Sequence, residues 1–228
     1  MSSSREFKPS ETPSVPHHSL VLRDYTRLAP VIPVVTLDDA RMSIDLAQTL
    51  LQAGLPVIEV TLRTPTALDA ISAIAKALPE AVIGAGTILE PSQIHEAADA
   101  GAKFIVTPGT PLSLAEHLRE APIPVMPGCS TVSEAMMLAT LGFQNLKFFP
   151  AAASGGAAWL KSVQGPLPKL SFCPTGGIDL ASAASYLALP NVPCVGGTWV
   201  TPQDALKKRD FGTIGRLASE AAALRPRT

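Results

Sequence analysis

A few residues of this sequence have types and spacings that can do chemistry: one acid and one amine inside apolar runs, and two glycine pairs beside such runs. Glu59 interrupts PVIEVTL and is the only one of nineteen acidic residues within a strand-like stretch. Side chains two apart on a strand share a face, so Glu59, Thr61 and Arg63 are expected to point the same way. A carboxylate, a hydroxyl and a guanidinium stacked together suit a site. The structural alternative is a buried Glu–Arg ion pair that orders the core, an arrangement that is seldom a net stabiliser. Lys147 lies inside NLKFFP. Burial disfavours an ammonium and favours the free amine, the form that attacks a ketone to build a Schiff base, whose iminium then serves as an electron sink. The bland alternative is a lysine whose stem packs while its head reaches water. Lys103, in GAKFIVT, sits at the start of its run and reads as structural. Gly176–Gly177 (CPTGGID) and Gly196–Gly197 (VGGTWV) let backbone N–H groups approach an anion closely, although paired glycines also mark plain turns.

Other chemistries are poorly supported. His95 and His117 fall in separate helix-like segments with no HxxxH or carboxylate spacing, so no metal site is expected. The three cysteines, Cys129, Cys173 and Cys194, are odd in number and lack a CxxC pair. That argues against a disulfide framework and for a reducing cytosol, with Cys129 and Cys173 read as small core fillers. Eighteen basic against nineteen acidic residues give a net charge of −1, which disfavours nucleic-acid and polybasic membrane-surface partners. No run approaches the about 18 apolar residues of a membrane span. Residues 1–19, MSSSREFKPSETPSVPHHS, are rich in serine and proline without apolar periodicity and predict a disordered tail. His17 and His18 would be a solvated pair there, and neither a secretory signal nor a transit peptide is legible, given Glu6 and Glu11.

The elements that must position these groups follow from periodicity. Apolar runs rich in β-branched residues start near Val31, Pro56, Ala81, Lys103, Pro124, Asn145, Ser171 and Pro193, at intervals of 21 to 26 residues. Each interval holds one strand, one helix and two short loops. Asp38 precedes a segment whose Ile44, Leu46, Leu50 and Leu51 form an apolar stripe ended by Gly54, and a second helix is expected from Ser133 to Gly142. Pro65, Pro91, Pro111 and Pro202 sit near helix starts, where a missing N–H costs least. Eight such units predict a single-domain (β/α)8 TIM barrel over residues 20–228, with its site at the C-terminal ends of the strands. A doubly wound open sheet is the alternative, but its usual Gly-rich first turn is absent, the turn here being VVTLDDA. In a barrel, the loops after strands seven and eight commonly hold phosphate, and both glycine pairs fall there.

Taken together, IEVTLRTP, GAGTIL, VTPG, PGCST, LKFFPA, CPTGGI and GGTWV resemble, in order and spacing, the 2-dehydro-3-deoxy-phosphogluconate (KDPG) / 4-hydroxy-2-oxoglutarate (KHG) aldolases over about residues 25–224. The resemblance implies a trimeric class I aldolase barrel that uses no metal and no cofactor, acts on a 2-keto-3-deoxy sugar acid phosphate and releases pyruvate in the cytoplasm. It assigns the Schiff base to Lys147 and general acid/base work to Glu59. It places Arg63 and Thr87 at the pyruvate carboxylate and neighbouring oxygens, Gly176, Gly177, Gly197 and Thr198 at the phosphate, and Pro108 and Phe149 among the substrate-binding residues. Two departures stand out: many members carry Ser where this chain has Thr198, and the N-terminal tail is long. The nearest rival, the 2-dehydro-3-deoxy-6-phosphogalactonate aldolases, shares the LKFFPA likeness but usually lacks the arginine of VTLRTP. The other rivals are a metal-dependent or isomerase barrel without a Schiff base, and a catalytically dead binding barrel, which the presence of both Lys147 and Glu59 disfavours.

Overall fold

Strands covered on both faces read as continuous apolar runs, and each run becomes a buried parallel strand. The computed structural model describes residues 17–224. Its strands are β1 (Val31–Val35), β2 (Val57–Thr61), β3 (Val82–Gly86), β4 (Phe104–Val106), β5 (Val125–Met126), β6 (Gly128–Cys129), β7 (Asn145–Phe148), β8 (Ser171–Pro174) and β9 (Val195–Gly197). The helices are α1 (His17–Tyr25), α2 (Ser43–Gln52), α3 (Ala67–Ala77), α4 (Ser92–Asp99), α5 (Leu112–Leu118), α6 (Val132–Thr140), α7 (Gly156–Val163), α8 (Leu180–Leu187), α9 (Gln203–Lys208) and α10 (Phe211–Ala222).

The result is an α/β fold built on a curled parallel sheet. Six strands pair in the order β5-β4-β3-β2-β1-β9, and three more in the order β6-β7-β8. The run expected as one strand near Pro124 is divided into β5 and β6 by Pro127, which has no N–H to give to a ladder. A single parallel bridge between Thr175 and Gly196 joins the end of β8 to β9. Alternation along each strand separates two apolar layers. Ile58 and Val60 pack outward against the helices, whereas Val57 joins Ile32, Val82, Phe104 and Met126 on the inner side. Glu59 and Thr61 share that inner face with Val57.

Three expectations need correction. His17, His18 and Ser19 open helix α1 and do not belong to a tail; the rest of the expected tail, residues 1–16, lies outside the described residues. Leu22 of this helix reaches the inner apolar layer, which the short HHSLVLRDY segment did not reveal. In the first βα unit a short 3-10 turn over Ala40–Met42, capped by Asp39, precedes α2. That turn shifts the helical phase, so Met42, Leu46, Ala47 and Leu50 are buried while Ile44 is exposed. Finally, α6 starts at Val132, because Thr131 and Glu134 form a reciprocal capping box.

Candidate active site

Two strands carry the central pair. Glu59 stands on β2 between Val34 and Gly84 of its neighbours, and Lys147 on β7 between Gly128 and Cys173. Their strands are not adjacent, yet the side chains meet across the interior, with Nζ donating to Glu59 Oε1 at 3.1 Å. Both residues are buried, at 4% and 3% exposure. The Phe149 ring lies 5.4 Å from Nζ, within the range where an aromatic face attracts a cation. Among the described residues Glu59 is the only acid in a strand, so its burial has one evident compensation, the lysine.

Space for this pair comes from β3, whose inner face carries Gly84 and Gly86 in place of side chains. A Cβ on Gly84 would occupy the Phe104 ring, and one on Gly86 would collide with the Glu59 carboxylate. Sequence reasoning missed Gly86, although two glycines alternating within AVIGAG signal a close approach to the strand.

Arg63 lies two residues beyond the end of β2 and is exposed, and among the described residues it makes no ion pair with Glu59, whose partner is Lys147. Its Nε donates instead to Thr87 Oγ1 at 3.1 Å. Thr87 has φ of 63°, the left-handed region, which is strained for a β-branched residue; such conformations cluster at functional sites. Thr61 donates to the Val35 carbonyl at 3.2 Å and shares a 2.8 Å hydrogen bond with Thr36, which ties it sideways to β1. Pro108 follows β4, where its carbonyl fills the space a Cβ on Gly128 would need. Beside it Thr107 accepts from the Gly128 N–H at 2.8 Å and pairs with Thr110.

The glycine pairs converge on the same end. Gly176 and Gly177 have φ of 98° and 71°, so both need a residue without a Cβ. A Cβ on Gly176 would stand 3.1 Å from the Phe149 ring, which therefore bridges the amine and this loop. Gly177 is tighter, with 2.7 Å to the Ala152 Cβ. The Thr175–Gly196 bridge brings in the second pair, where the Trp199 ring leaves no room for a side chain on Gly197 and Thr198 is exposed.

Other candidates fall elsewhere. Lys103 donates to the Pro79 and Ala81 carbonyls at the start of β4, the structural role expected of it. His95 and His117 lie on α4 and α5, and among the described residues no group of three or more metal-binding side chains assembles. Burial, together with the nearby Glu134 charge, pushes the Cys129 thiol up to about 12, so it is no nucleophile near neutral pH. The Cys194 thiol is also raised, by its hydrogen bond with Cys173 and then by burial.

With this geometry in view, the likeness to known proteins is specific. Residues 22–217 match the family described as KDPG and KHG aldolase. The KHG/KDPG aldolase of Escherichia coli (strain K12) is 47% identical over 192 residues, 84% of this chain and 90% of that protein. The KDPG aldolase of Legionella pneumophila, solved with pyruvate captured as a covalent carbinolamine intermediate, is 40% identical with a TM-score of 0.85. That alignment covers 87% of this chain and 96% of the other. The 2-keto-3-deoxy-6-phosphogluconate aldolase of Zymomonas mobilis ZM4, solved with 3-phosphoglycerate, is 41% identical with a TM-score of 0.86, over 91% and 97% of the two chains. Family match, identity and shape agree with a buried lysine–carboxylate pair flanked by two glycine loops: this chain belongs to the KDPG and KHG aldolase family.

Proposed function

We propose that this protein is a class I aldolase that cleaves 2-dehydro-3-deoxy-6-phosphogluconate to pyruvate and glyceraldehyde 3-phosphate, and that it also cleaves 4-hydroxy-2-oxoglutarate to pyruvate and glyoxylate. The observation that carries the reading is the 3.1 Å contact between the buried Lys147 Nζ and Glu59 Oε1. Transfer of one proton across that contact yields a neutral amine and a carboxylic acid, the two species the first step consumes. The amine attacks the C2 ketone. Glu59, directly or through a water, protonates the carbinolamine oxygen, which leaves as water and gives the iminium. The carboxylate then takes the C4 hydroxyl proton, the C3–C4 bond breaks, and its electron pair enters the iminium to form an enamine. The aldehyde departs, C3 is protonated, and water hydrolyses the iminium to pyruvate and free Lys147. The Phe149 ring, 5.4 Å from Nζ, favours each cationic stage.

The remaining roles follow from position. Arg63, held by Thr87, supplies a guanidinium for the substrate carboxylate, with Pro108 and Phe149 shaping the walls. Gly176, Gly177, Gly197 and Thr198 offer backbone and hydroxyl donors to the phosphate, favoured by the positive φ of the first pair. We read residues 17–224 as one (β/α)8 barrel domain, counting Val125–Cys129 as a single strand interrupted at Pro127 and the Thr175–Gly196 bridge as the closing seam. A homotrimer is supported by exposed Leu89, Leu112 and Val132, which precede or open three successive helices, and by exposed Met136 within α6, which together leave apolar surface uncovered. A reducing cytoplasm is supported by three unpaired cysteines, and among the described residues no helix is long and apolar enough to cross a membrane.

Borohydride reduction in the presence of pyruvate tests the central claim. It should add one pyruvate-derived mass to the wild type and none to Lys147→Met, while Lys103→Met should trap and cleave normally. Trapping by the Lys147→Met chain would overturn the assignment.

A further inference from the structure

At the opposite end of the strands from the Lys147–Glu59 pair lies a cavity of about 290 Å³. Its walls come from the N-terminal starts of three strands: Asn145 opens β7, Ser171 opens β8, and Asn191 and Pro193 precede β9. Helix α1 forms the remaining side, tied down by Asn145 Nδ2 donating to the Ser19 carbonyl at 2.9 Å, while Asn145 Oδ1 accepts from Ser171 at 2.7 Å. Three cations, Arg23, Arg27 and Lys169, stand in the wall, and no acidic residue does. Among the described residues none of the three makes an ion pair. Asn191, 8% exposed, is held in the wall by its Nδ2 donating to the Leu160 carbonyl at 2.9 Å.

We propose that this cavity is a second anion site, distinct from the catalytic centre, for a small phosphate monoester. Arginine forks and a lysine match phosphate oxygens through charge-assisted hydrogen bonds. Size narrows the class. At about 30 Å³ per water-sized group the space admits roughly ten non-hydrogen atoms, enough for a three-carbon phosphate ester and too few for a nucleotide. Because α1 closes the cavity and Asn145 lies two residues before Lys147 on β7, occupancy would clamp the helix onto the strand that carries the amine.

Isothermal titration of the full chain with glycerol 3-phosphate tests this. The Gly177→Val chain, which blocks the proposed catalytic phosphate loop, serves as background, so the remaining binding reports the cavity. Binding should persist there and fall at least about tenfold with added Lys169→Glu or with Arg23→Ala/Arg27→Ala. Lys169 is an exposed loop residue, so its variant stays informative even if the α1 pair perturbs folding. Lys169→Glu in the otherwise wild-type chain should leave aldol cleavage unchanged. Absence of binding in the Gly177→Val chain, or binding that both cation variants leave unaltered, overturns the proposal.

Discussion

Replacing Gly86 by alanine should separate catalysis from stability. The new methyl group would overlap Glu59 Oε1 and stand 2.7 Å from both Cγ and Cδ. Ordinary contact starts near 3.4 Å, so each of these carbons must retreat by about 0.7 Å (3.4 − 2.7), and the oxygen by more. The carboxylate is the free end of a side chain and can rotate away, so the fold should survive. Overpacking of this kind costs about 1–3 kcal/mol, or roughly 2–12 °C in Tm at about 2–4 °C per kcal/mol for a chain of this size. The displaced carboxylate, however, can no longer hold the 3.1 Å contact to Lys147 Nζ. A misplacement near 1 Å is enough to cost about 10²-fold in rate, within the range for losing a general acid/base group. Pyruvate release, coupled to lactate dehydrogenase and NADH oxidation, measures kcat, and thermal melting reads the fold. Gly84→Ala is the matched control, because its methyl group meets the Phe104 ring and leaves the Glu59 carboxylate alone; it should lose more stability and less activity. Gly165→Ala, with nothing within 4 Å, should lose neither. A folded Gly86→Ala chain with wild-type kcat would refute the claim that this glycine holds the carboxylate in place.

Three further outcomes are expected. Glu59→Gln keeps the side-chain shape but removes the proton acceptor, so kcat should fall about 10²–10⁴-fold while slower borohydride trapping persists; an unchanged kcat would return Glu59 to a purely structural ion pair. Gly177→Val and Thr198→Ala should depress kcat/KM for the phosphorylated substrate far more than for 4-hydroxy-2-oxoglutarate, and equal losses on both would mean that the loops serve only the backbone turn. Burial disfavours the Glu134 carboxylate, but donors from the Ser130 and Thr131 backbone and hydroxyls more than offset this and hold its pKa below the usual value. A depressed folded-state value stabilises above the unfolded pKa of about 4.3 and is lost as pH falls through the folded one. The Tm gap between wild type and Glu134→Gln should therefore be full at neutral pH and close under acid, and a gap constant with pH would contradict the capping account.

What the sequence disclosed depended on contrast. Eight apolar runs at regular intervals are visible because burial on both faces forces every residue of a strand to be apolar, and Glu59 and Lys147 stand out because they break that rule. Partnership was harder to see. Strand alternation put Glu59, Thr61 and Arg63 on one face, but β2 ends at Thr61, and beyond it the backbone turns Arg63 toward Thr87. Nothing local could show that the partner of Glu59 lies 88 residues away, since that contact depends on the curl of the sheet. Helix α1 was obscured for a related reason: a nine-residue segment has too little periodicity to declare itself, and its order comes from Leu22 packing inside and Asn145 holding Ser19.

The same contrast explains why Gly86 went unremarked and why Thr87 was reached only through the family resemblance. A polar group inside an apolar run is a conflict that only a partner resolves, so it points outward to a site. A glycine in a strand produces no conflict on the page; its meaning is a missing atom, and only the Glu59 carboxylate filling that place reveals it. Thr87 is similar. Its side chain is unexceptional, and the informative property is a φ of 63°, which a β-branched residue adopts only when its surroundings impose it. The imposing structure is visible: Leu62 N–H donates to the Gly86 carbonyl at 2.8 Å, and Ile88 N–H to the Val106 carbonyl at 3.2 Å. Thr87 is thus pinned between two ladder contacts, and the strain is held there so that its hydroxyl meets Arg63. On this reasoning the acid–amine pair is set by residue choice, whereas the Arg63–Thr87 corner is set by backbone geometry that residue types alone do not encode.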